Sequence, residues 1–412
     1  MSKSKISKLS RVKMVGVITK RISTIGKASN APAKDLLDYY PNKLAAELHP
    51  KAQNLVVKEI REFSPDMKSI VLAPNPKKGT SSLAWFSAGQ YLSVCADING
   101  KIFKRPYSIA SSPADTLDGF YMITVKRVGG GIVSQFILDN WKVGQEVTAS
   151  APLGDFTYER LRDAGTVIGI AGGSGITPFR ALAKAIYEGD EPCSLVLLYG
   201  SRTYQDAVFS DDFNAWAEKC DKIKLVNVLS NEEKAGCESG FITADLIKKY
   251  APKGDFSIFM CGPQAMYNFA DKEIEKLGIR RKFVRHELFG EYFHPEKNAD
   301  YTGNIEDKFT LTVTIAGETT KIPCDANTTL LRAMEAAGLN PPSDCRSGRC
   351  GWCHSQLLSG DVYIPASVDG RRLADKEFGY IHPCCTFPLS DLAIDVPPMP
   401  KEIEKKKEDA VK

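Results

Sequence analysis

The sequence predicts a multidomain protein, with an antiparallel β-barrel, then an α/β doubly wound domain, then a small α+β domain. Three observations support this prediction. Short β-rich segments alternate with turns over residues 53–150, strand-like and helix-like segments alternate from about residue 165, and a hairpin, a helix and a cysteine-rich loop occupy residues 307–398. The chain has 412 residues, of which 43% are hydrophobic, so it is long enough for two or three domains with sizeable cores.

The composition excludes several classes of protein. A net charge of +4 is too small for a nucleic-acid-binding surface, and no apolar run approaches the roughly 18 residues that cross a bilayer. Eleven cysteines are present; four have the spacing of metal ligands and the rest are scattered, which favours a reducing compartment over a disulfide framework. The sequence therefore predicts a cytoplasmic protein that does not bind nucleic acid.

The two ends of the chain differ from the middle. Residues 1–30 carry eight Lys and Arg and no acidic residue, and Met14, Ile18, Ile22 and Ile25 recur at helical spacing. This pattern predicts a basic amphipathic helix that contacts an anionic membrane or a partner, which would make the protein membrane-peripheral. A solvated tail is the alternative. Residues 401–412 have the composition of a disordered end.

The predicted barrel contains a candidate anion site. A strand ends in Arg-Pro-Tyr-Ser, and a glycine-rich turn downstream leads into a helix. Such a turn binds anions because unpaired N–H groups and the helix dipole face the ligand, and an arginine adds a charge-assisted hydrogen bond. The candidate ligand-binding residues are Arg105, Pro106, Tyr107, Ser108, Gly130, Gly131 and Ser134.

The α/β region contains a second glycine-rich turn, between the buried strand TVIGIAG and the helix ITPFRALAKAIYEG. Glycines in this position permit close approach to a pyrophosphate. Two further turns follow later strands, one at Ser201 and Arg202 and one at Cys261-Gly262-Pro263. The carboxyl ends of parallel strands form the usual nucleotide site of such folds. The candidate residues are Gly172, Gly173, Gly175, Thr177, Ser201, Arg202, Cys261, Gly262 and Pro263.

The cysteines near the C-terminus carry the most specific signal. Cys345, Cys350 and Cys353 have the spacing C-x4-C-x2-C, and Cys384 and Cys385 follow at a distance. This is the ligand spacing of a plant-type [2Fe–2S] cluster, whereas zinc sites favour pairs of C-x2-C. The sequence therefore predicts a [2Fe–2S] cluster, with a zinc site as the alternative.

Taken together, these motifs resemble the ferredoxin–NAD(P) reductase superfamily with a fused plant-type ferredoxin domain, over about residues 53–398. The domain order is similar to that of reductases serving bacterial oxygenases, such as the phenylacetyl-CoA epoxidase reductase. The resemblance implies a β-grasp fold for the ferredoxin domain. The expected division is a basic extension at 1–50, a flavin-binding barrel at 51–158, an NAD(P)-binding domain at 159–290, a linker at 291–306, a [2Fe–2S] domain at 307–398 and a tail at 399–412.

The resemblance also implies roles for single residues. Cys261 and Ser108 become the candidate catalytic residues, at the point where the nicotinamide hydride meets the flavin. Phe289, in the segment Glu287-Leu288-Phe289, is expected to pack near the flavin. Cys384 is favoured over Cys385 as the fourth cluster ligand, because ferredoxins typically have a proline four residues after that ligand, as at position 388.

The implied cofactors define an electron path. FAD is favoured with FMN left open, and the donor is NADH or NADPH, with the single basic residue near Ser201 favouring NADH. A flavin takes two electrons as a hydride and releases them singly to a cluster, which passes them to an acceptor protein such as an oxygenase or another metalloenzyme. The exposed rim of the loop that holds the cluster cysteines is expected to contact this acceptor, with Arg346, Arg349, Trp352 and His354 as candidates; shielding of the cluster is their alternative role. The alternatives are a membrane-associated subunit of an NADH:quinone system and a non-catalytic redox sensor.

Overall fold

The computed structural model describes residues 8–29, 39–288 and 292–398. Its N-terminal unit, residues 1–48, contains helices α1 (Lys8–Ser29) and α2 (Tyr40–Leu48). In α1 the side chains of Val15, Ile18, Ile22 and Ile25 are exposed, while that of Met14 and the tail at 401–412 lie outside what the structure describes. No helix in the described part of the chain is long and apolar enough to cross a membrane.

The second unit begins with the predicted antiparallel barrel. Its strands are β1 (Gln53–Ser64), β2 (Met67–Pro74), β3 (Tyr91–Ile98), β4 (Lys101–Ser108), β5 (Tyr121–Lys126) and β6 (Glu146–Ala149), in the order β4-β3-β6-β1-β2-β5. A bridge between Ile109 and Ile123 brings the two edge strands together. Apolar side chains that alternate along these strands fill the interior, and α3 (Ile132–Asn140) covers one opening.

The nucleotide domain is a parallel sheet. Its strands are β7 (Thr166–Gly172), β8 (Ser194–Ser201), β9 (Ile223–Leu229), β10 (Glu238–Ser239), β11 (Ser257–Cys261) and β12 (Val284–Glu287), in the order β10-β9-β8-β7-β11-β12. Its helices are α4 (Thr177–Glu188), α5 (Ser210–Ala217), α6 (Ala244–Tyr250) and α7 (Gln264–Glu275). The chain reverses its winding between β7 and β11, which is where such folds bind ligands.

The ferredoxin domain has a mixed five-stranded sheet. Strands β13 (Lys308–Ile315) and β14 (Glu318–Asp325) form the predicted hairpin, and the order is β14-β13-β19-β15-β17 with β13 parallel to β19 (Leu392–Val396). The other elements are α8 (Leu330–Ala336), β15 (Ser355–Ser359), β16 (Val362–Tyr363), α9 (Leu373–Glu377), β17 (Tyr380–Ile381) and β18 (Phe387–Pro388). Helix α8 ends at Ala336, and Gly338 follows it at φ +82°, the left-handed conformation that commonly terminates helices. The predicted fold class is confirmed.

The predicted linker packs more closely than its polar composition suggests. Tyr292 is buried in the ferredoxin core, where its ring lies 6.3 Å from that of Phe387. Its hydroxyl donates to Asn298 at 2.9 Å, and Tyr363 donates to Asp300 at 2.7 Å. Tyr292 and Tyr301 of this segment both pack against that core, so the segment joins it despite its turn-forming residues. The domain boundaries themselves stay predictions.

Candidate active site and cluster loop

The predicted flavin and nucleotide motifs line one cavity. The cavity has a volume of about 1290 Å³, and the motifs reach it from the barrel and from the nucleotide domain. Phe289, predicted to pack near the flavin, lies outside the described residues. The predicted residues that line the cavity are Arg105, Pro106, Tyr107, Ser108, Gly130, Gly131, Ser134, Gly172, Gly173, Gly175, Thr177, Ser201, Arg202, Cys261, Gly262 and Pro263.

On the barrel side, the end of β4 and the start of α3 face the cavity. Gly130 adopts φ +71°, a left-handed conformation that favours glycine, and Gly131 caps the N-terminus of α3. The Ser134 hydroxyl accepts a hydrogen bond from the Val128 N–H at 3.1 Å and so closes the turn. Burial raises the pKa of Tyr107, which keeps its phenol neutral. The arrangement of a helix N-terminus beside an arginine suits a flavin phosphate.

On the nucleotide side, two turns meet at the reversal point of the sheet. Residues 171 and 261 are paired across β7 and β11, so the turns that follow them are neighbours. A Cβ at Gly175 would lie 2.1 Å from the Cys261 carbonyl oxygen, which excludes any side chain there. The Tyr199 hydroxyl donates to the Gly173 carbonyl at 3.0 Å and holds the turn. The glycines therefore serve close backbone packing as well as approach to a pyrophosphate.

The environment of Cys261 keeps its thiol neutral. The side chain is 3% exposed, and burial, followed by the nearby Glu287, raises the pKa of the thiol well above its ordinary value. Tyr267 donates to the Glu287 carbonyl and accepts from the Gly262 N–H at 3.0 Å, so it ties this turn to the end of β12. A neutral, rigidly held thiol is suited to positioning a nicotinamide ring and not to nucleophilic attack.

The four predicted cluster cysteines lie close together as two pairs. Cys345 is hydrogen-bonded to Cys350, whose N–H donates to the Cys345 sulfur at 3.3 Å, and the sulfurs of Cys353 and Cys384 are 3.4 Å apart. Within the described residues, no three His, Cys, Asp or Glu are grouped as ligands of one metal ion. Two irons that share four thiolates require two pairs of thiols, so the arrangement fits a [2Fe–2S] cluster.

Cys384 and Cys385 have different surroundings. The Cys384 sulfur accepts a hydrogen bond from the Gly348 N–H at 3.3 Å. Gly348 lies in the loop of residues 345–354 that holds the other three cysteines, here called the cluster loop. The Cys385 thiol instead donates to the carbonyl oxygen of His382 at 3.4 Å. Backbone N–H groups that point at a ligand sulfur are typical of iron–sulfur sites, so the geometry favours Cys384 as the ligand.

Comparisons with known proteins identify the family. Family models match in the order of an oxidoreductase FAD-binding domain at residues 54–158, an oxidoreductase NAD-binding domain at 170–272 and a 2Fe-2S iron-sulfur cluster binding domain at 313–389. The ferredoxin reductase component of 3-ketosteroid-9-alpha-monooxygenase from Rhodococcus rhodochrous is 30% identical over 347 residues, which are 82% of this chain and 94% of that relative. The chain belongs to the FAD- and [2Fe–2S]-dependent reductases of the ferredoxin–NAD(P) reductase superfamily.

Other similar proteins agree with this membership. The glycine betaine monooxygenase reductase subunit of Pseudomonas aeruginosa is 28% identical over 331 residues, covering 76% of this reductase and 88% of that relative. The solved structure of phthalate dioxygenase reductase has the same fold, with a TM-score of 0.59, 24% identity and coverage of 84% of this chain and 98% of the other. The reductase is thus an NAD(P)H-dependent flavoprotein that passes electrons through FAD and a [2Fe–2S] cluster to an acceptor protein. The predicted family, function and cofactors are confirmed.

The cluster loop of the reductase lies where its three domains meet. Burial raises the pKa of Tyr91, on barrel strand β3, and the nearby Cys345 raises it further. Burial likewise raises the pKa of Glu287, at the end of β12, while the positive charge of Arg349 opposes that shift. One carboxyl oxygen of Glu287 is buried without a hydrogen-bond partner. The loop is therefore close both to the barrel and to the end of β12, which Tyr267 ties to the turn at residues 261–263.

One residue that was predicted at the exposed rim of the cluster loop is buried. Arg346, in the cluster loop, would be expected at the exposed rim beside Arg349, Trp352 and His354, but it is only 1% exposed. Its guanidinium forms two hydrogen bonds with Glu335, at 2.7 and 2.8 Å. A buried carboxylate holds the arginine inside because the pair satisfies both charges.

The cavity also contains residues that the motifs did not indicate. Lys126, Asp206, Phe241, Phe293 and Arg332 line it. Lys126 lies in the VKRVGGG segment, so its position beside the glycine turn was a usable signal. Phe293 and Arg332 come from the linker and the ferredoxin domain, and no local pattern in the sequence relates them to a flavin site.

Proposed function

We propose that this reductase supplies electrons to an oxygenase. The feature that supports the proposal most directly is the cluster loop, which is buried at Cys345 on one side and exposes Arg349, Cys350 and Trp352 on the other. The two relatives named above are reductase components of monooxygenases, and this chain covers 94% and 88% of their lengths. Membership of this enzyme family favours a catalytic reductase over the redox-sensor alternative.

The predicted site residues have corresponding roles in this proposal. Arg105, Gly130, Gly131 and Ser134 bind the flavin phosphates, and Tyr107 lies against its ring. When bound, FAD supplies hydride acceptance from NAD(P)H and single-electron transfer to the cluster. Cys261 and Ser108 position the nicotinamide and the flavin, and the turn at residues 172–177 binds the dinucleotide pyrophosphate. Four cysteines, Cys345, Cys350, Cys353 and Cys384, bind the cluster.

NADH is the proposed donor. Arg202 and Asp206 line the same part of the cavity, and Asp206 accepts hydrogen bonds from the N–H and the hydroxyl of Thr203, at 3.1 and 2.9 Å. A fixed carboxylate beside the adenosine ribose repels a 2′-phosphate, and a single arginine offsets that only in part. NADH is therefore expected to have the higher kcat/KM.

Anaerobic titration tests the electron path and the donor together. The purified protein is titrated with NADH or with NADPH and followed by visible absorbance and low-temperature EPR. We expect flavin bleaching and then a rhombic [2Fe–2S] signal, with NADH effective at lower concentration. If neither nucleotide bleaches the flavin, the reductase function is wrong for this chain; if NADPH reacts at least as well as NADH, only the donor assignment is wrong.

The oxygenase is proposed to dock on the rim of the cluster loop. Trp352 is 52% exposed, and the His354 ring stacks on Tyr380 at 4.2 Å. Two further exposed apolar side chains, Leu373 at 86% and Phe378 at 65%, flank the segment that holds Asp375, which is 3.0 Å from His354. Exposed aromatic and apolar side chains around a redox centre suit a transient protein contact.

Trp352→Ala tests this docking face, and Trp85→Ala is the matched control because Trp85 is 48% exposed on the barrel. We expect Trp352→Ala to raise the KM for an oxygenase component by roughly thirtyfold, since aromatic anchors contribute about 2 kcal/mol to such contacts. Ferricyanide reduction by NADH should stay unchanged in both variants. Equal KM values for the two variants would contradict the assignment of the face.

The N-terminal helix is proposed to bind anionic membranes. Helix α1 exposes Val15, Ile18, Ile22 and Ile25 along one face, and residues 1–30 contain no acidic residue. Apolar contact combined with basic charge produces binding that depends on anionic lipid. Vesicles with 30 mol% phosphatidylserine should sediment the full chain and not a chain that lacks residues 1–45. Equal sedimentation of both chains, or binding to purely zwitterionic vesicles, would contradict the proposal.

A further inference from the structure

Helix α8 of the ferredoxin domain reaches the residue that is proposed to bind the flavin phosphates. The carboxylate of Glu335 accepts hydrogen bonds from Nη1 and Nη2 of Arg346. Its Oε2 also lies 3.5 Å from Nη1 of Arg105. All three side chains are largely buried, with 8% of Glu335, 0% of Arg346 and 18% of Arg105 exposed. A buried ionic group therefore joins the cluster loop, helix α8 and barrel strand β4.

A second residue of α8 lines the flavin cavity itself. Arg332 precedes Glu335 by three positions, so the two lie on one face of the helix. Arg332 and Phe293 both line the cavity, and the guanidinium carbon of Arg332 is 5.3 Å from the centre of the Phe293 ring. This cation–π contact holds the arginine at the cavity wall.

Helix α8 is also docked on the strand that carries Arg105. The ammonium of Lys101, at the start of β4, donates to the Ala336 carbonyl oxygen at 3.0 Å. Lys101 thereby binds one of the free carbonyls at the C-terminus of the helix. The position of α8 relative to β4 is thus fixed at two points, by Lys101 at the start of the strand and by Arg105 in its middle.

We propose that α8 completes the flavin site of this reductase. Glu335 acts as a positioning residue that orients Arg105, and Arg332 adds a second guanidinium to the cavity wall, so that the flavin phosphates are held fully when the ferredoxin domain is docked. Arginine bound in a fixed orientation loses less entropy when it pairs with a phosphate. The proposal rests on the placement of the flavin in this cavity.

The test compares flavins with and without phosphate. Apoprotein is prepared for Glu335→Gln, Arg332→Gln and Arg105→Gln, with Glu318→Gln as a control because Glu318 is exposed on the same domain. The Kd of FAD and of riboflavin is measured by quenching of flavin fluorescence, and EPR of the reduced cluster reports whether the ferredoxin domain is intact. We expect Glu335→Gln and Arg332→Gln each to raise the Kd of FAD about tenfold and to leave that of riboflavin unchanged.

Three results would overturn the proposal, and they differ in whether the placement of the flavin fails with it. If Arg105→Gln weakens FAD binding while neither α8 variant does, α8 is not part of the site and the flavin placement stands. If the α8 variants weaken riboflavin as much as FAD, their role is only to support the fold. If no variant, Arg105→Gln included, changes the Kd of FAD, the flavin placement fails together with the proposal. Arg332→Gln keeps the test decisive if Glu335→Gln does not fold.

Discussion

Cys384 and Cys385 are adjacent in the chain, but their thiols have different surroundings. Both thiols are 1% exposed, yet the sulfur of Cys384 lies 3.4 Å from that of Cys353, and the thiol of Cys385 is turned to a backbone carbonyl. Gly348 packs against both residues: its N–H donates to the Cys384 sulfur at 3.3 Å, and a Cβ there would lie 2.8 Å from the Cys385 sulfur. The contact between Cys384 and Cys353 favours Cys384 as the ligand.

Replacing each cysteine in turn tests this choice. Cys384→Ser should abolish the assembled cluster, because a hydroxyl is a poor ligand for iron in this setting. Cys385→Ser should retain it, since the Cys385 thiol donates to the His382 carbonyl and a serine hydroxyl can do the same. Iron content and the EPR signal of the reduced protein give the measurement. The opposite pattern would assign the fourth ligand to Cys385.

Cys261 is expected to act through its position. Its raised pKa keeps the thiol protonated at neutral pH, so it contributes shape and a weak dipole beside the nicotinamide. Cys261→Ala should slow flavin reduction by NADH by about tenfold to a hundredfold, the effect of a small misplacement of the reacting atoms. Stopped-flow absorbance gives the rate constant, and flavin content should be unchanged. A normal rate would show that Cys261 is only a packing residue.

At the scale of secondary-structure elements, the sequence predicts the strands and helices whose apolar residues form a clear pattern along the chain. The barrel strands, the hairpin and the helices are present as expected, because their apolar residues recur every two or every three to four positions. The central parallel strands β7 and β11 are present as expected because they are continuous apolar runs. Strands such as β10, β16 and β18 are only two residues long, so they are too short to show a period. They form because neighbouring strands offer hydrogen bonds, which is a property of the folded domain.

The same distinction applies to the site. The turns with Gly130, Gly173 and Cys261 were found because strand-to-helix turns with glycine leave a local pattern in the chain. Arg332 and Glu335 belong to an ordinary amphipathic helix, and their contact with Arg105 depends on how two domains dock. Contacts between residues more than two hundred positions apart leave no such pattern in a single sequence.

At the scale of the whole molecule, a buried ion pair joins the barrel to the nucleotide domain. Arg285 on β12 donates to the carboxylate of Asp163, to the Thr157 carbonyl and, at 3.2 Å, to the Asp155 carbonyl. Asp163 and Arg285 side chains are 0% and 7% exposed. The three acceptors lie in the segment that leads out of the barrel, so Arg285 fixes the angle at which the two flavin-facing domains meet.

Asp163→Asn should therefore destabilise the reductase strongly. Removing one partner of a buried pair leaves an uncompensated charge, at a cost of about 3 kcal/mol. Asp255→Asn is the control, because Asp255 pairs with Arg280 at 3.1 Å while their side chains are 71% and 63% exposed, and exposed pairs contribute less than about 1 kcal/mol. The midpoint of thermal flavin release should fall markedly in the first variant and little in the second. Because the cavity is built from both domains, a fall of equal size in the two variants would mean that Arg285 does not control their docking.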